Sequence, residues 1–127
     1  MANPENMRHL EAKGEMDYDH VNDILFFKLA DREYDFSMEF QNMVIDVDSE
    51  QFLVGIQIFD ASKFLGISKI NLREIPKWQF RTKIENGIIE LRLNYQIKIR
   101  NQIFDRSPII IQDNKANLPS PQMAMTI

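Results

Sequence analysis

The sequence predicts a mainly β protein with minor helix: an antiparallel meander with one short helix, followed by a long β-hairpin that extends the sheet. Three observations predict this class. Apolar residues recur at every second position over most of residues 24–103. Asn86-Gly87 is the pair that two-residue hairpin turns prefer. A chain of 127 residues can bury one core without disulfides, and this chain has no cysteine.

Residues 1–14 are predicted to form a short N-terminal helix. Asn3 can cap it, Pro4 suits the first helical position, and Gly14 suits the left-handed residue that ends a helix.

Residues 15–67 are interpreted as a small ββββα domain. Residues 24–29 are interpreted as a strand buried on both faces, and apolar side chains recur at every second position at about 34–41, 43–47 and 52–58. Gly55 inside the last of them indicates a bulge or a close backbone contact. Asp60 can cap a short helix over Ala61–Leu65, which Gly66 would end.

Residues 68–112 are predicted to form a hairpin extension that shares the core. If Asn86-Gly87 is the two-residue turn, the two residue numbers of every facing pair have the same sum as those of Glu85 and Ile88. Trp78 therefore faces Tyr95 on the apolar side. Arg81 then faces Arg92 on the wet side, which is unfavourable for like charges unless something compensates.

The second arm of this hairpin is unusually long. An unbroken strand over Ile88–Phe104 would span about 55 Å, so we expect it to bend, to break near Asn94 or Asn101, or to reach beyond its own subunit. Residues past Gln96 lack an obvious local mate and need residues 109–111, the first half of the sheet, or a second subunit. The candidate self-association edge comprises Tyr95, Ile97, Ile99 and Ile103.

Residues 113–127 are polar and then carry Pro119 and Pro121, so we expect a flexible tail; the alternative is a short docking segment.

The net charge of −4 hides an asymmetry. Residues 1–62 contain 14 acidic and 4 basic residues, and residues 63–127 contain 5 acidic and 11 basic residues, which gives −10 and +6. Two solvated faces of unlike composition would explain this. Alternatively, unlike charges meet between subunits or with an anionic partner.

Three blocks in the first half carry a family resemblance. They are Tyr18-Asp19 with Asp23 and Leu25-Phe26-Phe27, then residues 44–48, then residues 54–62. Together they resemble the family called domain of unknown function 2283, although its turn usually carries glycine where this chain has Glu50 or Gln51. The resemblance implies a small meander of strands plus a helical turn, and it implies no reaction. Family members can sit beside toxin-like genes, which makes an antitoxin role conceivable.

Two groups of carboxylates are candidate chemical sites. Asp17, Asp19, Asp23 and His20 could hold a cation, but the glycine and glutamate that a calcium loop needs at its sixth and twelfth positions are missing. The alternative is that Asp19 and Asp23 shape a turn before the next strand.

Asp46 and Asp48 could act as an acid–base pair, but both precede a turn and have no His or Lys neighbour, which favours a turn-shaping role. The four glycines are isolated, so no glycine-rich phosphate loop is present. We therefore expect no enzyme activity, no metal and no cofactor.

The solvent-facing side of the hairpin is the one surface that is enriched in one kind of side chain, here basic ones. Its candidate partner-binding residues are Lys77, Arg81, Lys83, Arg92, Lys98 and Arg100. A basic ribbon can follow a phosphate backbone, but proteins that stack on bases carry aromatic residues on the binding face, and here the aromatics fall on the opposite side.

The expected function is therefore a non-enzymatic interaction module that self-associates through strand edges. The alternative is a nucleic-acid-associated protein, antitoxin-like or ribosome-linked, that uses the basic face. No signal peptide and no apolar run of about 20 residues is recognisable, so we expect a cytoplasmic protein without membrane contact.

Overall fold

The structure, a computed structural model, describes residues 8–114 and 121–126. These residues form mostly antiparallel strands with two short helices, so the predicted mainly β class is confirmed. In chain order the elements are β1 (Arg8–Asp19), β2 (Ile24–Leu29), β3 (Phe36–Phe40), β4 (Met43–Val47), β5 (Leu53–Phe59), α1 (Ala61–Leu65), α2 (Lys69–Arg73), β6 (Trp78–Glu85), β7 (Ile88–Ile99), β8 (Gln102–Arg106), β9 (Ile109–Asp113) and β10 (Pro121–Thr126).

The strands form one open sheet in the order β3-β4-β5-β2-β1-β10-β6-β7-β8, and β9 also pairs with β7. β1 belongs to both halves of this sheet, because its residues 14–19 pair with β2 and its residues 8–13 pair with β10. The meander β2 to β5 therefore forms one half, and β10, β6, β7, β8 and β9 form the other.

The sheet curls so that its two halves share one core. Phe27 of β2 stacks on Phe80 of β6 with ring centroids 5.9 Å apart, and it meets the edge of Trp78 at 5.1 Å. Trp78 in turn packs on Tyr95 of β7 at 4.5 Å. β2 and β6 are not neighbours in the sheet, so these ring contacts join the two halves across the core.

The predicted N-terminal helix is wrong where the structure describes it, because Arg8–Asp19 is strand β1. Leu10, Ala12, Met16 and Tyr18 recur with a period of two and pack against the core. Pairing with β2 and β10 satisfies the backbone along the strand, which outweighs the local helix-capping signals. The first seven residues of that prediction lie outside the described part of the chain.

The predicted flexible tail is wrong for residues 121–126, which form β10. β10 lies between β1 and β6, parallel to the first and antiparallel to the second. Its backbone covers edges of both strands that would otherwise stay unpaired, and Pro121 occupies the first position of the strand, where proline is tolerated. The prediction is also wrong at Asp113, which ends β9, and residues 115–120 and 127 lie outside the description.

The predicted hairpin register is confirmed. β6 and β7 pair with Trp78 opposite Tyr95 and with Arg81 opposite Arg92. Asn86 and Gly87 have φ values of 53° and 75°, as the primed hairpin turn requires at both central positions.

The long second arm breaks near Asn101, one of the predicted outcomes. Arg100 and Asn101 have φ values of 50° and 66° and form a second two-residue turn. β8 and β9 then run back along β7, and residues 95–99 pair with residues 102–106. The prediction that residues past Gln96 lack a local mate and need residues 109–111, the first half of the sheet or a second subunit is therefore wrong, because this turn folds residues 102–106 onto the strand.

The predicted irregularity at Gly55 is confirmed, because the β4–β5 register shifts between Asp46 and Val47. Asp46 lies opposite Gly55, whereas Val47 lies opposite Leu53. A Cβ atom on Gly55 would come within 3.0 Å of Asp46 Oδ2 and 3.3 Å of the Phe27 backbone oxygen. Glycine is therefore required here for close packing of three strands.

Replacing Gly55 with alanine should lower the free energy of unfolding by about 1–3 kcal/mol, because the new methyl group is overpacked between two neighbouring strands. Urea denaturation monitored by tryptophan fluorescence measures the change. The same substitution in an Asp46→Ala background should cost less, since one of the two close contacts is then absent. Equal stability of the wild type and the single variant would contradict this account.

Candidate functional site

A partly buried hydrogen-bond network joins β1, the start of β2 and α1. Asp23 is 6% exposed and has a left-handed backbone with φ 56°. Its carboxylate accepts hydrogen bonds from the Tyr18 hydroxyl at 2.6 Å, the Ser62 hydroxyl at 2.6 Å and the Ser62 amide at 3.0 Å. Its backbone oxygen accepts from the Ala61 amide at 3.0 Å.

This network replaces the predicted helix cap. Asp60 makes no capping hydrogen bond with its side chain, so the prediction that it caps α1 is wrong. Asp23, which lies 39 positions before Ser62, satisfies that amide instead. The end of α1 is as predicted, because Gly66 has a left-handed φ of 68°.

The network fixes the protonation states of its two acidic groups. Burial alone would raise the pKa of Asp23, but hydrogen bonds from Ser62 and Tyr18 outweigh it and hold the pKa below its ordinary value. Burial, together with the hydrogen bond to Asp23, raises the pKa of the Tyr18 phenol. A carboxylate and a neutral phenol held in this way do not exchange protons near neutral pH, which suits a structural link better than acid–base work.

The remaining residues of the first carboxylate grouping shape a turn or stay apart. Asp19 accepts hydrogen bonds from the amides of Val21 and Asn22 at 3.1 Å each, so its predicted turn-shaping role is confirmed. The Asn22 side chain and these amides lower the pKa of Asp19. Asp17 lies on β1 opposite Phe26. Within residues 8–114 and 121–126, no three His, Cys, Asp or Glu side chains are grouped to hold a metal.

The carboxylates of Asp46 and Asp48 have separate structural partners. Asp48 is buried, accepts hydrogen bonds from the amides of Glu50 and Phe52 at 2.9 Å each, and pairs with Arg32. Its turn-shaping role is confirmed. Asp46 instead accepts a hydrogen bond from the Ser37 hydroxyl at 2.6 Å, so it links β4 to β3 rather than shaping the turn.

The six basic residues predicted for partner binding are all exposed. Arg81, Lys83, Arg92 and Lys98 lie on the outward side of β6 and β7, whereas Lys77 immediately precedes β6 and Arg100 lies in the turn before β8. These residues do not form an uninterrupted positive surface. Lys83 pairs with Glu85 at 2.9 Å, and Arg92 lies 3.9 Å from Glu90.

The predicted self-association edge divides in two. Tyr95 and Ile97 are buried in the core, so their assignment to an exposed edge is wrong. Their side chains point to the same, core-facing side of β7 as the side chain of Ile89. Burial raises the pKa of the Tyr95 phenol. Ile99 and Ile103 are exposed.

An exposed apolar edge is nevertheless present, on the strands that cover β7. β8 ends the strand order, and β9 pairs with β7 alone in the described chain. Among the residues whose side chains the structure describes, more than half of the exposed large apolar ones lie on β7, β8 and β9: Ile88, Ile99, Ile103, Phe104, Ile109 and Ile111. Ile109 and Ile111 were not predicted to be surface residues. Their run with Ile110 is the sequence signal, because it predicts a strand that can cover β7.

The fold and these contacts define a small, mainly β protein in which a strand meander is locked to a short helix by a partly buried Tyr–Asp–Ser network. The model of the family described as "Protein of unknown function (DUF2283)" matches residues 15–62. The resemblance is thereby confirmed. Its first and last blocks meet in space, because Tyr18 and Asp23 come from the first and Ser62 from the last.

Two curated relatives extend the likeness beyond that segment. A protein of Methanosarcina mazei named "Putative hypoxanthine phosphoribosyltransferase" is 27% identical over 113 residues, which is 89% of this chain and 92% of the relative. An uncharacterised protein of Methanocaldococcus jannaschii is 27% identical over 99 residues, which is 76% of this chain and 85% of the relative. No solved structure matches the chain. Neither helix in the described part is long and apolar enough to cross a membrane.

Proposed function

We propose that this protein is a non-enzymatic interaction module that self-associates through the outer edge of β9. The observation that carries the proposal is the exposure of two apolar side chains beside a strand edge that no other described strand covers. Ile109 is 45% exposed and Ile111 is 62% exposed. Exposed apolar patches and open strand edges are typical of association surfaces.

The distribution of charge along the outer strands supports β9 over β8. Asp105 and Arg106 lie on β8, and charged residues on an edge discourage pairing with another chain. Residues 109–112 of β9 carry no charge, and Asp113 ends the strand.

The opposite end of the sheet is a weaker candidate. β3 also has one uncovered side in the described strand order, but Ser37 and Glu39 are exposed along it. Asp35 precedes the strand and its amide is bonded to the Val47 carbonyl. Polar and acidic residues there protect the edge, so β9 is the edge better suited to a second copy.

A second copy is the partner that fits β9, because an antiparallel edge can pair with itself about a two-fold axis. In such a pairing the apolar side chains of each subunit cover those of the other. Two-fold symmetric dimers are the commonest closed assemblies.

Replacing Ile109 and Ile111 together with lysine should raise the dimer dissociation constant at least tenfold, equivalent to about 1.4 kcal/mol. Sedimentation equilibrium across the micromolar range measures it. The matched control is Ile70→Lys on α2, which has a similarly exposed side chain (65%) away from the edge and should leave the dimer intact. A wild-type protein that stays monomeric throughout this range would refute the proposal.

The non-enzymatic part of the proposal rests on how the acidic groups are used. Asp23 and Asp48 are buried in structural hydrogen bonds, and Asp19 shapes a turn. A phosphoribosyltransferase, as the Methanosarcina relative is named, must hold a sugar phosphate, and this chain has no glycine-rich phosphate loop. We expect no product from hypoxanthine and a phosphoribosyl donor in a chromatographic assay with purified protein.

The absence of cysteine supports a cytoplasmic location.

Nucleic-acid binding by the basic face is the second candidate function. It is favoured by Arg81 opposite Arg92, since two facing cations are unfavourable unless an anion lies between them. Against it, Glu85 and Glu90 lie among the basic residues. A filter-binding assay at low salt tests it: Arg81→Glu with Arg92→Glu should abolish any binding that this face provides, and unchanged affinity would exclude the face.

A further inference from the structure

The direction of the backbone groups on β9 follows from its pairing with β7. The Leu93 amide donates to the Pro108 oxygen at 3.1 Å, and the Asn114 amide donates to the Gly87 oxygen at 2.9 Å. Bonded positions alternate along an antiparallel ladder, so Ile110 also bonds inward. The N–H and C=O groups of Ile109 and Ile111 therefore point away from β7, toward the uncovered side.

From this geometry we infer that two copies pair antiparallel through β9 with a two-fold axis at Ile110, a binding mode that rests on the proposed self-association. Ile109 of one subunit then lies opposite Ile111 of the partner subunit, and the reverse pair forms across the axis. Both pairs use backbone groups that point outward. The joined edges turn two open sheets into one continuous sheet.

Neighbouring axis positions fit less well. An axis at Ile111 would place Ile109 opposite Asp113, and an axis at Ile109 would place Ile111 opposite Ser107. Each would bury a large apolar side chain against a polar residue at two symmetric places. The axis at Ile110 instead places the polar residues Ser107 and Asp113 opposite each other and leaves each isoleucine opposite an isoleucine.

The second row of side chains favours the same axis. Arg92 lies beside Ile109 and Glu90 lies beside Ile111 on β7. With the axis at Ile110, Arg92 and Ile109 of one subunit are followed across the interface by an isoleucine and a glutamate of the second copy. Unlike charges therefore flank the apolar contact. An axis at Ile111 would place two copies of Glu90 at the ends of one row.

The edge is held in shape before pairing. The Ser107 hydroxyl donates to Asn94 Oδ1 at 2.6 Å, and Gln96 Nε2 donates to Asp105 Oδ1 at 2.9 Å. These bonds tie the junction of β8 and β9 to β7. A strand edge that is already ordered loses less conformational entropy on association.

Cysteine cross-linking tests the register without background, because the chain has no cysteine of its own. Ile109→Cys and Ile111→Cys are prepared separately, each at an exposed position. Directly opposed bonded positions have Cα atoms about 5.5 Å apart, within the range of a disulfide. A mixture of the two variants under mild oxidation should give several-fold more cross-linked dimer than either variant alone.

The outcomes separate the two proposals. If sedimentation shows a dimer but Ile111→Cys or Ile109→Cys cross-links as well alone as in the mixture, the axis at Ile110 is wrong while self-association stands. If the wild type sediments as a monomer and no cross-link forms, both fail. A dimer that cross-links in none of the samples places the interface elsewhere and overturns the inference.

Discussion

Replacing Phe27 with alanine should lower the free energy of unfolding by about 3–5 kcal/mol. Phe27 is fully buried, and its ring contacts both Trp78 and Phe80 across the core. Its removal takes apolar contacts from both halves of the sheet at once and leaves a cavity that β strands on two sides cannot close. Equilibrium denaturation in urea, followed by the fluorescence of the single tryptophan, gives the value.

The matched control for this prediction is Phe64→Ala, which removes a phenylalanine that is 37% exposed on α1. It should cost clearly less, because the ring already contacts solvent. If the two substitutions had equal effects, the contact of Phe27 with β6 would not be what joins the halves.

Replacing Asp23 with alanine should lower the free energy of unfolding by about 2–4 kcal/mol. The Tyr18 hydroxyl and the amide and hydroxyl of Ser62 would lose their acceptor in a buried place. Alanine also tolerates the left-handed backbone at φ 56° less well than aspartate. Asp23→Asn keeps an acceptor oxygen and a residue that adopts this conformation, so it should cost less than alanine in the same urea measurement.

The pH dependence of the free energy of unfolding should distinguish the wild type, which carries the Asp23 carboxylate, from the neutral variant Asp23→Asn. The pKa of Asp23 is lowered in the folded state, so between the two pKa values the unfolded state binds more protons and stability rises with pH. The contribution is complete above the unfolded value of about 3.9 and is lost as pH falls through the folded value.

The stability difference between wild type and Asp23→Asn should therefore stay constant between pH 7 and about 5 and narrow as pH falls below the unfolded value of about 3.9. A difference that also stays constant below that value would mean that the charge of Asp23 contributes nothing to folding.

The sequence by itself determined the features that depend on neighbouring residues. Asn86-Gly87 and the alternation around it specify the hairpin and its register, because the turn geometry and one apolar face permit only one pairing. The irregularity at Gly55 and the turn at Asp19 were predictable for the same reason. The family of residues 15–62 was also identifiable from short blocks.

Only the tertiary structure decided which distant segments meet. Arg8–Asp19 and Pro121–Thr126 have local signals for helix and tail, yet both are strands. Residues 8–13 pair with β10 and residues 14–19 with β2, and β10 has a strand on each side. The link from Asp23 to Ser62 spans 39 positions, and local patterns do not encode it. The same holds for the candidate edge: the turn at Asn101 leads to the pairing of β8 and β9 with β7, which makes β9 an outer strand, whereas Tyr95 and Ile97 are buried because they face the core.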